Sequence, residues 1–304
     1  MTINNMPLVS VIVTTYNRKK LLKETIDSIL HQTHKNFELI VVDNYSDYDV
    51  KSHIKSFNDD RIRFFQNANN GIIAVNRNVG IKKAKGEYIA FCDDDDCWFP
   101  NKLDKQIRVF NKNDVKGVGS SMLRFNGDKI YKREEPSKED VDYYSFDNVL
   151  KKNINVPLSS LIIRNNGSLF SQNRDLVCVE DWDFQISLIK MGGCIARVNR
   201  PLIKYRVGNV PNPQKKLNNI NLLKTYKNLF TEKEYSKSLN KYYKMIGFGY
   251  LFVGNRKEAI NYLSLINSRF GDSKPFFLTL LKVIPNFLFV IIHYLYLKIN
   301  LFIK

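Results

Sequence analysis

The sequence predicts an α/β fold built on a mostly parallel sheet with helices on both faces. Through the first hundred residues, apolar runs of strand length alternate with segments of helical periodicity, and polar clusters fall where the runs end. Leu8 to Val13 reads as a buried strand, followed by Thr14-Thr15-Tyr16-Asn17-Arg18 and a helix with Leu22, Ile26, Ile29 and Leu30 on one face. Phe37 to Val42 is a second strand, ending in Asp43-Asn44. After a polar stretch, Arg61 to Phe65 is a third, and a helix over about 74–83 leads into Tyr88 to Cys92. Open sheets of this kind bind ligands at the carboxyl ends of their strands. Thr14 to Asn17, Asp43-Asn44 and the run Asp93 to Asp96 therefore share one rim.

Four consecutive aspartates repel one another, so the run needs a cationic partner. If the chain stays extended, Asp93 and Asp95 face one way and Asp94 and Asp96 the other. Paired carboxylates suit a hard divalent cation such as Mg²⁺, which takes one or two carboxylates together with substrate phosphates. The plainer alternative is a solvated acidic turn, with Asp96 capping the helix that follows. No G-x-G-x-x-G follows the first strand and no G-x-x-x-x-G-K-[ST] occurs anywhere, so the common phosphate cradles are absent from the sequence.

At 304 residues, 44% hydrophobic and 25% charged, the chain is globular and large enough for one big α/β domain or two modest ones. Cys92, Cys97, Cys178 and Cys194 lack metal-ligand spacing and read as reduced, buried thiols. Met1 to Pro7 lacks an apolar signal core, and the expectation is a cytoplasmic protein. The net charge of +17 is uneven: residues 205–304 hold 16 Lys/Arg against 4 Asp/Glu, or +12, leaving +5 for residues 1–204. Such a basic third suits an anionic membrane surface or nucleic acid, unless it is a solvated helical face. No helix-turn-helix, zinc finger or RNA-binding motif accompanies it, so no nucleic-acid partner is expected.

Two regions are predicted: residues 1–210, carrying the sheet, and residues 211–304, where Pro211-Asn212-Pro213 breaks the chain and helices follow. Leu222, Tyr226 and Leu229 mark one helix, Tyr242 to Phe252 a second and Ala259 to Ile266 a third, with Gly254 to Ala259 resembling a turn between paired helices. Residues 275–304 are apolar but interrupted by Lys282, Pro285, Asn286, His293 and Lys298. That pattern is too broken to span a bilayer and suits an amphipathic tail in the membrane interface, or one packed on the upstream helices.

Taken in order, Val9 to Arg18, Val41-Val42-Asp43-Asn44, Asn70-Gly71, Arg77-Asn78-x-Gly80, Ala84-x-Gly86-Glu87-Tyr88-Ile89 and the aspartate run with Trp98-x-Pro100 resemble family 2 glycosyltransferases of the GT-A fold. The match resumes at Val179-Glu180-Asp181-Trp182-Asp183-Phe184, at Gly192 and at Pro201 to Arg206.

The resemblance implies inverting transfer from a nucleotide-sugar. Asp93-x-Asp95 would be the D-x-D element that holds Mn²⁺ or Mg²⁺, with Asp95 the direct ligand. Asp181 would be the general base, with Glu180 beside it. Unaided by the resemblance, Glu180-Asp181 also reads as acids complementing a helix N-terminus. Thr14, Tyr16, Asp43, Asn44, Asp93 and Asp94 would line the nucleotide-sugar site, with Arg77 and Arg206 contacting phosphate or base. Trp98 and Trp182 read as packing residues, and Asn155 to Ser160 as a stretch near the acceptor. Many relatives carry two acids where this chain has Asp43-Asn44. An amide can pair with uracil, so a UDP-hexose such as UDP-Glc or UDP-Gal remains the expected donor. No Q-x-x-R-W occurs, which implies one sugar per visit. The implied setting is the inner face of the cell membrane, where a lipid-linked saccharide accepts the sugar during surface-polysaccharide (O-antigen or capsule) assembly. A protein or wall-polymer acceptor, and a glycan-binding relative without activity, are the alternatives.

Overall fold

The structure, a computed structural model, describes residues 6–111, 114–127, 129–133, 139–152, 154, 156–207 and 216–269. The chain divides into two compact units, residues 1–208 and residues 209–304.

The first unit opens with strand β1 (Val9–Thr15), helix α1 (Lys19–Leu30), β2 (Phe37–Asp43), α2 (Val50–Lys55), β3 (Ile62–Gln66), α3 (Ile73–Lys83) and β4 (Tyr88–Asp93). It continues with β5 (Cys97–Trp98), α4 (Lys102–Ile107), β6 (Val115–Asn126), β7 (Lys129–Arg133), β8 (Val141–Tyr144), α5 (Phe146–Leu150), β9 (Ile162–Arg164), α6 (Glu180–Ile189) and β10 (Cys194–Arg206). The strands form one sheet in the order β3-β2-β1-β4-β9-β6-β10-β5, with β7 paired to β6 and β8 to β10.

The first four strands pair in parallel, β2 on both β1 and β3, and β1 on β4. The four longest ladders are parallel, as expected, and shorter antiparallel pairings make the sheet as a whole mixed. Short β9 runs antiparallel between β4 and β6, which restores β6 and its parallel neighbour β10 to the direction of β4. The carboxyl ends of β1, β2, β4, β6 and β10 thus lie along one edge.

Both faces of this sheet are covered. Val9, Val11 and Val13 of β1 share a core with Leu22, Ile26 and Ile29 of α1, all fully buried. Each such side chain contributes roughly 1.5–3 kcal/mol through burial. On the opposite face α3 approaches so closely that a Cβ on Gly80 would stand 2.5 Å from Cγ2 of Ile12. Glycine is what lets that helix sit against the strand.

The second unit contains α7 (Leu217–Thr225), α8 (Glu232–Phe252) and α9 (Arg256–Ser264). Thr231 and Glu234 close a capping box at the start of α8. Gly254, at φ +79°, turns the chain into α9, whose buried Leu263 packs where Gly247 of α8 leaves room. No helix of the described residues is long and apolar enough to cross a membrane. The breaker Pro211-Asn212-Pro213 and the tail 275–304 lie outside the described residues.

Candidate active site

The rim is assembled by loops that follow β1, β2 and β4. Thr14 and Thr15 end β1, both buried, and Thr15 donates its hydroxyl to Asp94 Oδ2 at 2.7 Å. Asn17 adopts φ +56°, which asparagine tolerates. It fastens this loop to the next by accepting from Asp47 N and donating to Asp47 Oδ2, each at 2.7 Å. Asp43 is wholly buried at the end of β2. Its carboxylate accepts from the amide and hydroxyl of Ser46 and from Gln66, so it shapes the loop. Asn44 accepts from Asn69 N at 2.8 Å. A cavity of about 400 Å³ opens between these loops, lined among others by Thr14, Tyr16, Arg18, Asn44, Asn76 and Asp94.

Strand β4 stops at Asp93. Asp94 and Asp95 then form a turn closed by Asp96 N donating to Asp93 O at 3.2 Å, so the run is not extended as expected. Exposure nevertheless alternates. The side chains of Asp93 and Asp95 remain partly open, while Asp94 and Asp96 are buried. Burial pushes Asp94 up to about 6, against the bond from Thr15 and the charge of Arg18. Burial and the charge of Asp93 push Asp96 further, to about 8. Asp96 Oδ1 accepts from the backbone of Arg206 at 2.8 Å. The Arg206 side chain is tied to the carbonyl of Asp95 and, at 2.7 Å, to Glu24, and lies over the ring of Phe125.

The second set of acids comes from α6, which begins with Glu180, Asp181 and Asp183 in its first turn. Negative charge there complements the helix N-terminus. Arg77, reaching across from α3, ties this turn to β4: Nη1 donates to Asp181 Oδ1 at 2.8 Å and to Glu180 Oε1 at 3.0 Å, and Nη2 to Asp93 Oδ1 at 3.1 Å. The guanidinium is 5% exposed. Burial opposes its charge, but the pull of Asp181, Asp93 and Glu180 is stronger and raises its pKa. The surrounding protein pushes the Asp181 carboxyl up to about 7, with Glu180 and Asp93 adding to the shift and Arg77 opposing it. Its side chain is still 38% exposed, so it is open to solvent.

Asp93, Glu180, Asp181 and Arg77 are therefore one cluster, while Thr14, Tyr16, Asn44 and Asp94 face the cavity together. Asp43 lies behind them, and Arg206 braces the aspartate turn from the β10 side. Arg18 and Thr15 are absent from the sequence-derived set. An acidic run at a strand end demands a nearby cation, and Arg18 is the first one after β1. Trp98 and Trp182 are buried packing residues whose indoles donate to the carbonyls of Ser159 and Val149. No disulfide joins these cysteines, and Cys178 is exposed and Cys97 and Cys194 only partly covered, correcting the expectation that all four are buried.

Residues 10–170 match the family described as Glycosyl transferase family 2. The chain belongs to that family. A glycosyltransferase of Rickettsia bellii (strain RML369-C), itself described as uncharacterized, is 34% identical over 205 residues, or 66% of this chain and 29% of the relative. The Escherichia coli UDP-Glc:alpha-D-GlcNAc-diphosphoundecaprenol beta-1,3-glucosyltransferase WfgD is 29% identical over 258 residues, 84% of this chain and 96% of WfgD. Among solved structures, S. aureus TarS superimposes with TM-score 0.64 at 20% identity over 95% of this chain and 54% of that one. Its residues 1–349 in complex with UDP-GlcNAc give 0.57 at 17% identity, covering 84% and 89%. The fold of this family 2 chain is accordingly GT-A.

Proposed function

We propose that this family 2 chain is an inverting, non-processive glycosyltransferase. It moves one hexose from a UDP-sugar to a hydroxyl of a lipid-linked saccharide, at the inner face of the cell membrane, in surface-polysaccharide assembly. The observation that carries the chemistry is the Arg77 cluster. It holds an accessible carboxylate, Asp181, beside the acids that end β4, although 88 positions (181 − 93) separate Asp181 from Asp93 in the chain. Asp181 accepts the proton of the acceptor hydroxyl as its oxygen bonds to the anomeric carbon. The bond from that carbon to the diphosphate breaks, leaving UDP and an inverted linkage. A base whose carboxyl titrates at about 7 is matched to this task near neutral pH.

No group of three or more His, Cys, Asp or Glu among the described residues forms a metal cage. A hard cation held largely through substrate phosphates needs only one or two carboxylates, and partly exposed Asp93 and Asp95 fit that donor set. Mn²⁺ or Mg²⁺ held there would neutralise charge on the departing diphosphate. The cavity lined by Thr14, Tyr16 and Asn44 receives the nucleoside in this reading. The acceptor class is supported by the likeness to WfgD, whose name specifies a diphosphoundecaprenol-linked sugar.

The test is a panel of UDP- and GDP-sugars assayed by nucleotide release with a synthetic sugar-diphosphate-lipid, with and without Mn²⁺ or Mg²⁺. Acceptor-dependent release from a UDP-hexose, lost on chelation, with a β-linked product from an α-linked donor, is the expected result. A retained α linkage rejects single displacement, and release that ignores EDTA rejects the metal.

A further inference from the structure

Arg18 lines the cavity and bonds to the aspartate turn. It directly precedes α1, at the end of the loop that follows β1, and its side chain is 48% exposed. A single nitrogen, Nη1, reaches both Asp94 Oδ1 at 2.9 Å and Asp95 Oδ2 at 2.7 Å. A guanidinium has five N–H donors in a planar fork, and only this corner is engaged by acids. The same residue lines the cavity of about 400 Å³ together with Thr14, Tyr16 and Asn44.

Its two partners differ. Asp94 is buried and fastened from β1 by Thr15, so it cannot leave. Asp95 is partly open, and Arg18 is its only side-chain partner in a hydrogen bond or ion pair among the described residues. The other two arginines of the rim are tethered more firmly, Arg77 by three carboxylates and Arg206 by the Asp95 carbonyl and Glu24.

We propose that Arg18 is an exchangeable counter-ion. It neutralises Asp95 in the empty site, gives that carboxylate up to a divalent cation, and turns its fork onto the donor diphosphate. Two cations on one carboxylate oxygen repel, whereas a diphosphate in the adjoining cavity offers the guanidinium bidentate oxygen pairs. The exchange would couple the two binding events, because metal frees the arginine that holds the phosphate. This inference rests on the glycosyltransferase reading for the identity of the ligands, but the metal half can be tested without a sugar.

The experiment measures Mn²⁺ binding from the free-ion electron paramagnetic resonance signal without nucleotide, and UDP binding by calorimetry in saturating Mn²⁺, on the full chain. Arg18→Gln should bind Mn²⁺ about two- to fivefold more tightly, the range expected for losing a half-exposed competing ion pair. The same variant should bind UDP about tenfold more weakly, having lost a charge-assisted contact. Arg18→Lys keeps the charge and should fall between wild type and Gln in both assays, with unchanged circular dichroism excluding misfolding. Mn²⁺ affinity that is unchanged or weakened in Arg18→Gln overturns the counter-ion role, and unchanged UDP affinity overturns the phosphate role. A wild-type chain that binds Mn²⁺ but neither UDP nor GDP would instead count against the functional reading, while the Mn²⁺ comparison still decides whether Arg18 competes for Asp95.

Discussion

Two arginines face the acids of this rim, and they differ chiefly in their access to water. Arg77 is 5% exposed and shared among Asp93, Glu180 and Asp181; Arg18 is 48% exposed and holds Asp94 and Asp95 through one nitrogen. A buried guanidinium with three anionic partners cannot let go of one without stranding charge in a low dielectric. An exposed one loses less, because water replaces its contact with partly open Asp95, while buried Asp94 keeps the hydroxyl of Thr15. The first arrangement builds a fixed frame around the carboxylate proposed as the base, and the second suits the cation proposed to exchange partners.

The largest effect should come from breaking the chemistry inside the fixed frame. Asp181→Asn retains the shape of the side chain and removes its ability to take a proton, so kcat should fall by about 10²–10⁴-fold. Affinity for the donor, measured by calorimetry with UDP, should hardly move. If donor affinity collapses instead, Asp181 belongs to the nucleotide site and Glu180 becomes the next base to test. The sign of the pH dependence follows from the same carboxyl. Only its ionised form accepts a proton, and in the free protein the carboxyl is pushed up to about 7, so wild-type kcat/KM should climb as pH rises through 7 and flatten above it. A rate that is level from pH 5 to 8 would remove Asp181 from the proton transfer.

The fixed frame was only partly legible in the sequence. The spacing and order of the motifs name Arg77, Asp93 and Asp181, but nothing in them says that the arginine joins the other two, since its contacts cross more than a hundred residues to α6. Strands β1, β2 and β4 are apolar runs buried on both faces and announce themselves. The long strands β6 and β10 do not. Strand β6 reads Val-Lys-Gly-Val-Gly-Ser-Ser, with low strand propensity, because its neighbours demand small residues: a Cβ on Gly119 would sit 2.4 Å from Val156. Helix α2 hides in a polar stretch and is started by the Asp49 side chain accepting from Ser52 N. The aspartate turn was missed because an extended run needs only alternation, whereas the folded one depends on Arg206, Thr15 and Arg18 arriving from two other strand ends.

A sharper test of the comparison sets the two arginines side by side in unfolding experiments. Arg77→Gln leaves Asp93, Glu180 and Asp181 without their counter-charge and should destabilise the first unit by about 3–5 kcal/mol, the usual cost of breaking a buried ion network. Arg18→Gln should cost under about 1 kcal/mol. Urea midpoints for the two variants and wild type decide the matter. Equal losses would mean that exposure does not separate the two sites, and the picture of one fixed and one exchangeable arginine would fail.

The smallest effect probes what anchors the exchangeable side. Thr15→Val keeps the volume and branching that β1 needs but deletes the hydroxyl that donates to Asp94 Oδ2 at 2.7 Å. Losing that bond should cost about 1 kcal/mol of stability. The Thr15 bond is one of the influences that hold the Asp94 carboxyl down against burial, which already places it at about 6. Without it the carboxyl should titrate higher still, so near neutral pH a larger fraction is protonated. A folded-state carboxyl raised above its unfolded value favours folding at low pH and loses that contribution as pH rises through the folded value. The deficit of Thr15→Val relative to wild type should therefore be larger at pH 8 than at pH 5. Protonated Asp94 also attracts Arg18 less, so the variant should hold its arginine loosely and bind UDP near neutral pH at least as well as wild type. A deficit independent of pH would show that Thr15 acts through packing alone, and that Asp94 is fixed by something other than the hydroxyl at the end of β1.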